Sequence, residues 1–379
     1  MPIEEAAVWV FSVVAVIAWL ITLRSVLQPS KLKRYNVFIF LLATVFWWLG
    51  ESLALRLGRY QYSRFFPLSF NPWGGTPAQP DDLAIFLTRS LSWIPAEIDP
   101  MSCRTPQDSW NVPLPVVALE AVLLFWFLRV SVIRLRGEGV RTALAAASIS
   151  ALLMVNLFAV MDPVVSTTQW CGQAHLDPRS SGLDVINLWT WFTDEVHPGY
   201  WFGVPLVNYA GWFLTVFTFT FLLRLEDDGS GGILSPANHR FGLLSYGGAL
   251  LLLFILLLPL KVVVDLFLVH GHEALIVLRE DIDVPKAWQF STMGAMILIG
   301  LALALLFGRR QPYPRIRWIA ALPQLAVLMF CLVALVIQPK ASVAAVWIVS
   351  ATIAIVMMRG SASAGVRRPE SENEASPRV

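Results

Sequence analysis

Residues 142–163 read TALAAASISALLMVNLFAVMDP. From Thr142 to Met161 no charged side chain occurs, and about 20 such residues carry a helix across the hydrocarbon layer of a bilayer, where an unpaired backbone group finds no partner. The run ends on Asp162-Pro163, a carboxyl placed where lipid gives way to water. Outward from this stretch, apolar runs of the same kind recur at 6–27, 35–57, 112–133, 200–223, 241–268, 287–307, 318–337 and 342–358. The expected fold is all-α, a polytopic transmembrane helical bundle of about nine spans. It forms one domain over 1–358 with long outer loops at 58–111 and 162–199, followed by a Ser/Glu/Pro-rich tail at 359–379 that is expected to be disordered.

Composition and charge placement agree with that assignment. Of 379 residues, 56% are hydrophobic and 14% charged, against about 25% charged in soluble proteins. With 28 basic and 26 acidic residues the net charge is +2, so no basic field exists to hold nucleic acid. The 16 Trp and 23 Phe suit aromatic belts at two lipid–water interfaces, or a cavity for a long apolar molecule. Basic residues cluster on alternate connections, at Lys31, Lys33 and Arg34, at Arg134, Arg136 and Arg141, at Arg309, Arg310, Arg315 and Arg317, and again at Arg359, Arg367 and Arg368. The preference of Lys and Arg for the cytoplasmic side then puts the N-terminus outside and the C-terminus and tail in the cytoplasm. A multi-pass protein of a cell membrane is expected, of the bacterial inner-membrane type, with membrane lipids as its surroundings. Met1-Pro2-Ile3-Glu4-Glu5 lacks the basic start of a secretory signal, so the first span is expected to stay attached.

Ionisable groups inside spans cost about 2.5–3.5 kcal/mol each on insertion scales, so each asks for a reason. Glu51, Glu120, Asp162, Lys261 and Asp265 all fall toward the outer side, which predicts one polar cavity opening outward. Lys261 and Asp265, spaced i,i+4, also suit a simple pair. Glu51, with Trp47, Trp48 and Leu53 around it and nothing basic before Arg56, reads as an unpaired buried carboxyl and as a general acid. Glu120, in VALEAV, invites the same role. Of the histidines, His175, His197, His270 and His272 lie in outer loops, and His270-Gly271-His272 reads as solvated loop rather than as metal ligands. Cys103 and Cys171 fall in the outer loops, bridged or as separate thiols, while Cys331 reads as packing. Residues 81–93 read as a short interfacial helix with Leu83, Ile85, Phe86 and Leu91 turned to lipid. No P-loop, dinucleotide fingerprint, Cys-pair metal site or Asp-rich motif occurs, so neither a metal nor an organic cofactor is expected.

The most distinctive segment is HPGYWFGVPLVNYAGWFL, residues 197–214. It resembles the Tyr-x-Gly-Val/Ile-Pro-x-x-Asn-Phe-x-Gly-Trp stretch of the carotenoid biosynthesis membrane protein family, which includes carotenoid 1,2-hydratases and bisanhydrobacterioruberin hydratase. Gly50-Glu51-Ser52 followed by Gly58-Arg59-Tyr60-Gln61-Tyr62-Ser63, Met161-Asp162-Pro163-Val164, and Leu188-Trp189-Thr190-Trp191 are similar to further motifs of that family, in the same order. The resemblance covers residues 35–224. The chain departs from the family in extra sequence around 65–108 and 171–184, and in having Glu120 within Val117-Ala118-Leu119-Glu120 where the family tends to Pro-Leu-Ala-Trp.

The resemblance implies addition of water across a terminal double bond of an acyclic carotenoid or related isoprenoid, without a cofactor. Glu51 is then implied as proton donor, and Asp162 with Asn208 as the groups that place water; Glu120, where the chain departs from the family, stays a catalytic candidate on its own position inside a span. Tyr60, Tyr62, Trp189, Trp191, Tyr200, Gly203, Pro205 and Trp212 are implied as substrate-binding, with Trp189, Trp191, Tyr200 and Trp212 offering π faces to a carbocation. An enzyme on another polyprenyl lipid, and a non-enzymatic membrane carrier or assembly factor, remain as alternative readings.

Overall fold

A computed structural model describes residues 2–29, 33–56, 60–71, 111–134, 139–170, 186–193, 199–226, 284–307 and 322–359, with isolated helical positions between 257 and 268. Its helices are α1 (Ile3–Leu27), α2 (Lys33–Arg56), α3 (Leu114–Arg134), α4 (Val140–Val165), α5 (Leu206–Glu226), α6 (Val284–Phe307), α7 (Leu322–Ile337) and α8 (Ala341–Arg359). Short strands join them: β1 (Tyr60–Tyr62), β2 (Ser69–Phe70), β3 (Val112–Pro113), β4 (Ser166–Trp170) and β5 (Trp189–Thr193). Among the described residues five helical stretches are long and apolar enough to cross a membrane: Ile3–Leu27, Asn36–Leu55, Val140–Val165, Leu206–Arg224 and Lys286–Phe307. Two shorter apolar helices, Pro323–Ile337 and Ala341–Thr352, stand beside them.

The quoted stretch forms the axis of the bundle. Helix α4 packs against α3, α5, α6, α7 and α8, while α1 and α2 reach the core through α3. Ala143, Ala145, Ala146, Ala147, Ser148, Ser150 and Ala151 are buried, and such small side chains let neighbouring backbones approach closely. The apolar window of α4 is 72% buried and that of α6 only 11%. The exposed Leu298, Ile299, Leu301, Leu305 and Leu306 of α6 accordingly form a surface suited to lipid.

Pro163 shapes the end of this axis. A proline has no N–H for the carbonyl four residues back, and that carbonyl, of Ala159, is instead met by the indole N–H of Trp201 at 2.9 Å. The last turn of any helix also leaves its carbonyls without intrahelical donors. Here the Asp162 carbonyl accepts from Ser166 Oγ at 2.5 Å, the Pro163 carbonyl from Lys340 Nζ at 2.9 Å, and the Val164 carbonyl from Gln338 Nε2 at 2.5 Å. The Val165 carbonyl accepts from the Leu188 N–H at 2.7 Å. The α7–α8 turn and the segment leading into β5 are thus both fastened to the end of α4, and Lys340 adds a cation at a helix C-terminus, where the dipole favours one.

Around that end the outer connections fold into a small sheet of order β1-β5-β4. Strand β1 pairs antiparallel with β5, Tyr60 opposite Trp191 and Tyr62 opposite Trp189, and β4 pairs parallel with β5 from Ser166–Trp189 to Trp170–Thr193. Strands β2 and β3 form a separate ribbon, continued by the Leu114 N–H on the Leu68 carbonyl at 3.0 Å. The helical bundle stands as expected in its main part, with one addition: sequence expected as loop at 58–111 and 162–199 contributes short strands. Two boundaries also move: α4 continues through Asp162 to Val165, and the expected span at 200–223 begins as helix only at Leu206. Lys261, Asp265, His175, His197, His270, His272, Cys103, Cys171, the segment 81–93, most of the expected span 241–268 and the tail after 359 lie outside the described residues.

Candidate functional site

Start from the carboxyls. Glu51 lies in the last turns of α2, Glu120 in the second turn of α3 and Asp162 in the last turn of α4, so each sits roughly 5–10 Å from one end of its helix at 1.5 Å per residue. Their side chains are 6%, 4% and 1% exposed. Glu120 lies within electrostatic reach of both Glu51 and Asp162, and Asp162 within reach of Glu51. Carboxyls expected from separate spans at similar depth are therefore brought to one place.

Each is held differently. Asp162 Oδ2 accepts from Asn208 Nδ2 at 2.7 Å, the internal partner that an amide inside a membrane helix seeks. Asn208 is in the first turn of α5, because α5 starts only at Leu206. Glu51 is not unpaired: its Oε2 accepts hydrogen bonds from the hydroxyls of both Tyr60 and Tyr62. Burial, and next the negative charge of Glu51, push both phenols well above the ordinary tyrosine value of 10.0, so they remain donors. Glu120 Oε2 is buried and has no hydrogen-bond partner among the described residues.

Aromatic rings enclose this polar layer from both sides. Above it, Tyr60, Tyr62, Trp189 and Trp191 share one face of the sheet, as alternate residues of paired strands must. Tyr60 stands 4.9 Å from Trp191 and Tyr62 6.2 Å from Trp189, centroid to centroid. Below it, one turn deeper, Trp212 stacks on Phe158 at 3.9 Å and meets Trp47 at 4.7 Å. These rings sit four residues from Asn208, Asp162 and Glu51 respectively, the spacing that aligns side chains along a helix face. Several buried polar atoms here have no partner among the described residues: the indole N–H groups of Trp47, Trp189 and Trp191 and the hydroxyl of Tyr209 join Glu120 Oε2.

The segment 199–205 closes the site. Trp201 and Val204 exchange backbone bonds of 3.1 and 3.0 Å around Phe202 and Gly203, whose φ angles are +51° and +94°, which makes a tight reversal of the I′ kind. Thr168 Oγ1 donates to the Gly203 carbonyl at 2.9 Å, and a Cβ on Gly203 would collide with that same hydroxyl. Pro205 is buried and its carbonyl takes the Asn208 N–H at 3.0 Å, so Gly203 and Pro205 set where α5 starts. Tyr200 goes elsewhere. Its recorded ring contacts are with α6, Phe290 at 6.4 Å and Lys286 Nζ at 5.9 Å, and a ring already facing an ammonium is poorly placed to receive a carbocation.

Sequence reasoning missed Trp47, Phe158 and Tyr209 as parts of this site. The signal available was their i±4 or neighbouring position to Glu51, Asp162 and Asn208. Among the described residues, no group of three or more His, Cys, Asp or Glu side chains is arranged to hold a metal ion.

Residues 111–271 match the family model described as carotenoid biosynthesis protein. The matched part contains Glu120, Asp162, Trp189, Trp191, Tyr200, Gly203, Pro205, Asn208 and Trp212, and extends past the residues on which a resemblance rested; Glu51, Tyr60 and Tyr62 precede it. No curated protein and no solved structure matches the chain.

Proposed function

We propose that this helical membrane protein adds water to a terminal C=C of an acyclic carotenoid or related isoprenoid, a reading supported by the match of residues 111–271 to the carotenoid biosynthesis protein model. The observation that carries the proposal is the layer of Glu51, Glu120 and Asp162, buried together between two sets of aromatic rings. Hydration of an isolated trisubstituted alkene needs an acid to protonate carbon, an enclosure that tolerates a tertiary carbocation, and a base that delivers water to it. A carboxylic acid on one side and the Asp162–Asn208 pair on the other supply the acid and the water-placing base. The rings of Trp189, Trp191 and Trp212 face the charge that develops between them. An apolar end of a long substrate enters such a site without losing hydrogen bonds, and the indole N–H groups and the Tyr209 hydroxyl that lack partners among the described residues are donors for the incoming water.

Expression of the full chain in a lycopene-producing bacterium tests this. The expected product is a more polar pigment whose mass is raised by one water. An unchanged pigment profile, with the protein present in the membrane, would reject the proposal.

A further inference from the structure

The carboxyls of the site are not equivalent, and the difference bears on which one protonates carbon. An oxygen that receives two O–H donors, as Glu51 Oε2 does from Tyr60 and Tyr62, carries no proton of its own on that side. Asp162 Oδ2 is likewise engaged by Asn208 Nδ2. Glu120 Oε2 is buried, faces no donor or acceptor among the described residues, and belongs to a helix whose neighbouring Val116, Val117, Leu119, Ala121 and Leu123 are also buried. A proton on that oxygen is committed to no acceptor among the described residues, so it is deliverable to an alkene carbon. Glu120 still lies within electrostatic reach of Glu51, Asp162, Tyr60 and Tyr62, in the same buried polar layer.

We infer that Glu120 is the proton donor of the site and that Glu51, clamped by Tyr60 and Tyr62, is a positioning residue. This rests on the hydration proposed above. In the first step the O–H bond of Glu120 breaks, its proton forms a C–H bond at the less substituted alkene carbon, and the π pair leaves a tertiary carbocation. Water held at Asp162–Asn208 then forms the C–O bond and passes a proton to Asp162, and the return of one proton from Asp162 to Glu120 closes the cycle. Glu51, held on the sheet side, fixes the tyrosines and through them the ring face above the cation.

Infrared spectroscopy of the full chain reconstituted in vesicles separates this assignment from the fate of the hydratase proposal. Lycopene has no carbonyl, so a carboxylic-acid C=O band that shifts when lycopene is added reports on the protein's own acid. The band is expected in the wild type and in Glu51→Gln, absent in Glu120→Gln, and displaced in Glu120→Asp, which keeps the acid should Glu120→Gln fail to fold. In parallel, product formation is expected to fall by about 10²-fold or more in Glu120→Gln, and to return in part, with an altered pH profile, in Glu120→Asp. Loss of the band in Glu51→Gln with its retention in Glu120→Gln, or no responding band in the wild type, would overturn the assignment. A band that follows Glu120 in a protein forming no hydrated pigment would reject hydration while leaving Glu120 as the acid that meets the apolar ligand.

Discussion

At the residue scale, what a sequence can say about a buried carboxyl is limited by what it can say about its neighbours. Glu51 stands among Trp and Leu in the chain, and reads as unpaired. Its partners, Tyr60 and Tyr62, lie just beyond the helix that carries it and turn back onto it through a strand. For Asn208, an amide near the end of a span has few partners in lipid, and the carboxyl it finds is that of Asp162. The tyrosine clamp predicts a titration. Burial raises both phenols, so in the folded protein they keep their protons above the unfolded value near 10. A raised folded value means a stabilising contribution that is complete below the unfolded value and is lost as pH climbs from it toward the folded one. Phenolate absorbance should therefore show a late-titrating component, together with loss of folded protein in that alkaline range, and Tyr60→Phe with Tyr62→Phe should shrink that component by two tyrosines. Ordinary titration of all tyrosines in the folded wild type would show that the clamp is not buried in solution.

The elements divide into those that apolar length dictates and those it does not. Helices α1 to α8 each coincide with an expected apolar run, and five of the described helical stretches have the length and polarity for crossing lipid, which few other segments satisfy. The strands have neither constraint. Tyr60–Tyr62, Ser166–Trp170 and Trp189–Thr193 are rich in aromatic and β-branched residues, yet they are short and their pairing joins segments far apart in the chain, which local patterning does not reveal. Their position follows from the end of α4, whose four free carbonyls recruit Ser166, Lys340, Gln338 and Leu188. The turn at Gly203 belongs to the same scale. Gly203→Ala meets both a positive φ and the Thr168 hydroxyl, and should cost at least ~1–3 kcal/mol. Thermal unfolding in detergent measures it, and adding Thr168→Ala should recover the part due to the collision. An unchanged midpoint in Gly203→Ala would mean that this turn is not fixed against β4.

For the whole molecule, the starts of α1, α3, α5, α6 and α8 and the ends of α2, α4 and α7 gather at one end of the bundle. Ser63 Oγ on Glu4 at 2.9 Å ties the start of α1 to the strand after α2, and Lys286 and Lys340 bring the starts of α6 and α8 to the same end as Tyr200 and Pro163. Loops expected merely to connect spans thus become the lid over a buried polar layer, of which the family match over 111–271 takes in Glu120 and Asp162. The central claim is that this layer adds water, rather than some other oxygen, to an isoprenoid end. Its most direct test grows lycopene-producing cells that express the full chain in heavy-oxygen water and weighs the polar pigment. The account predicts one heavy oxygen in the new tertiary hydroxyl and none when Glu120 is replaced by Gln; a pigment carrying only light oxygen, or no new pigment with the protein in the membrane, would contradict it.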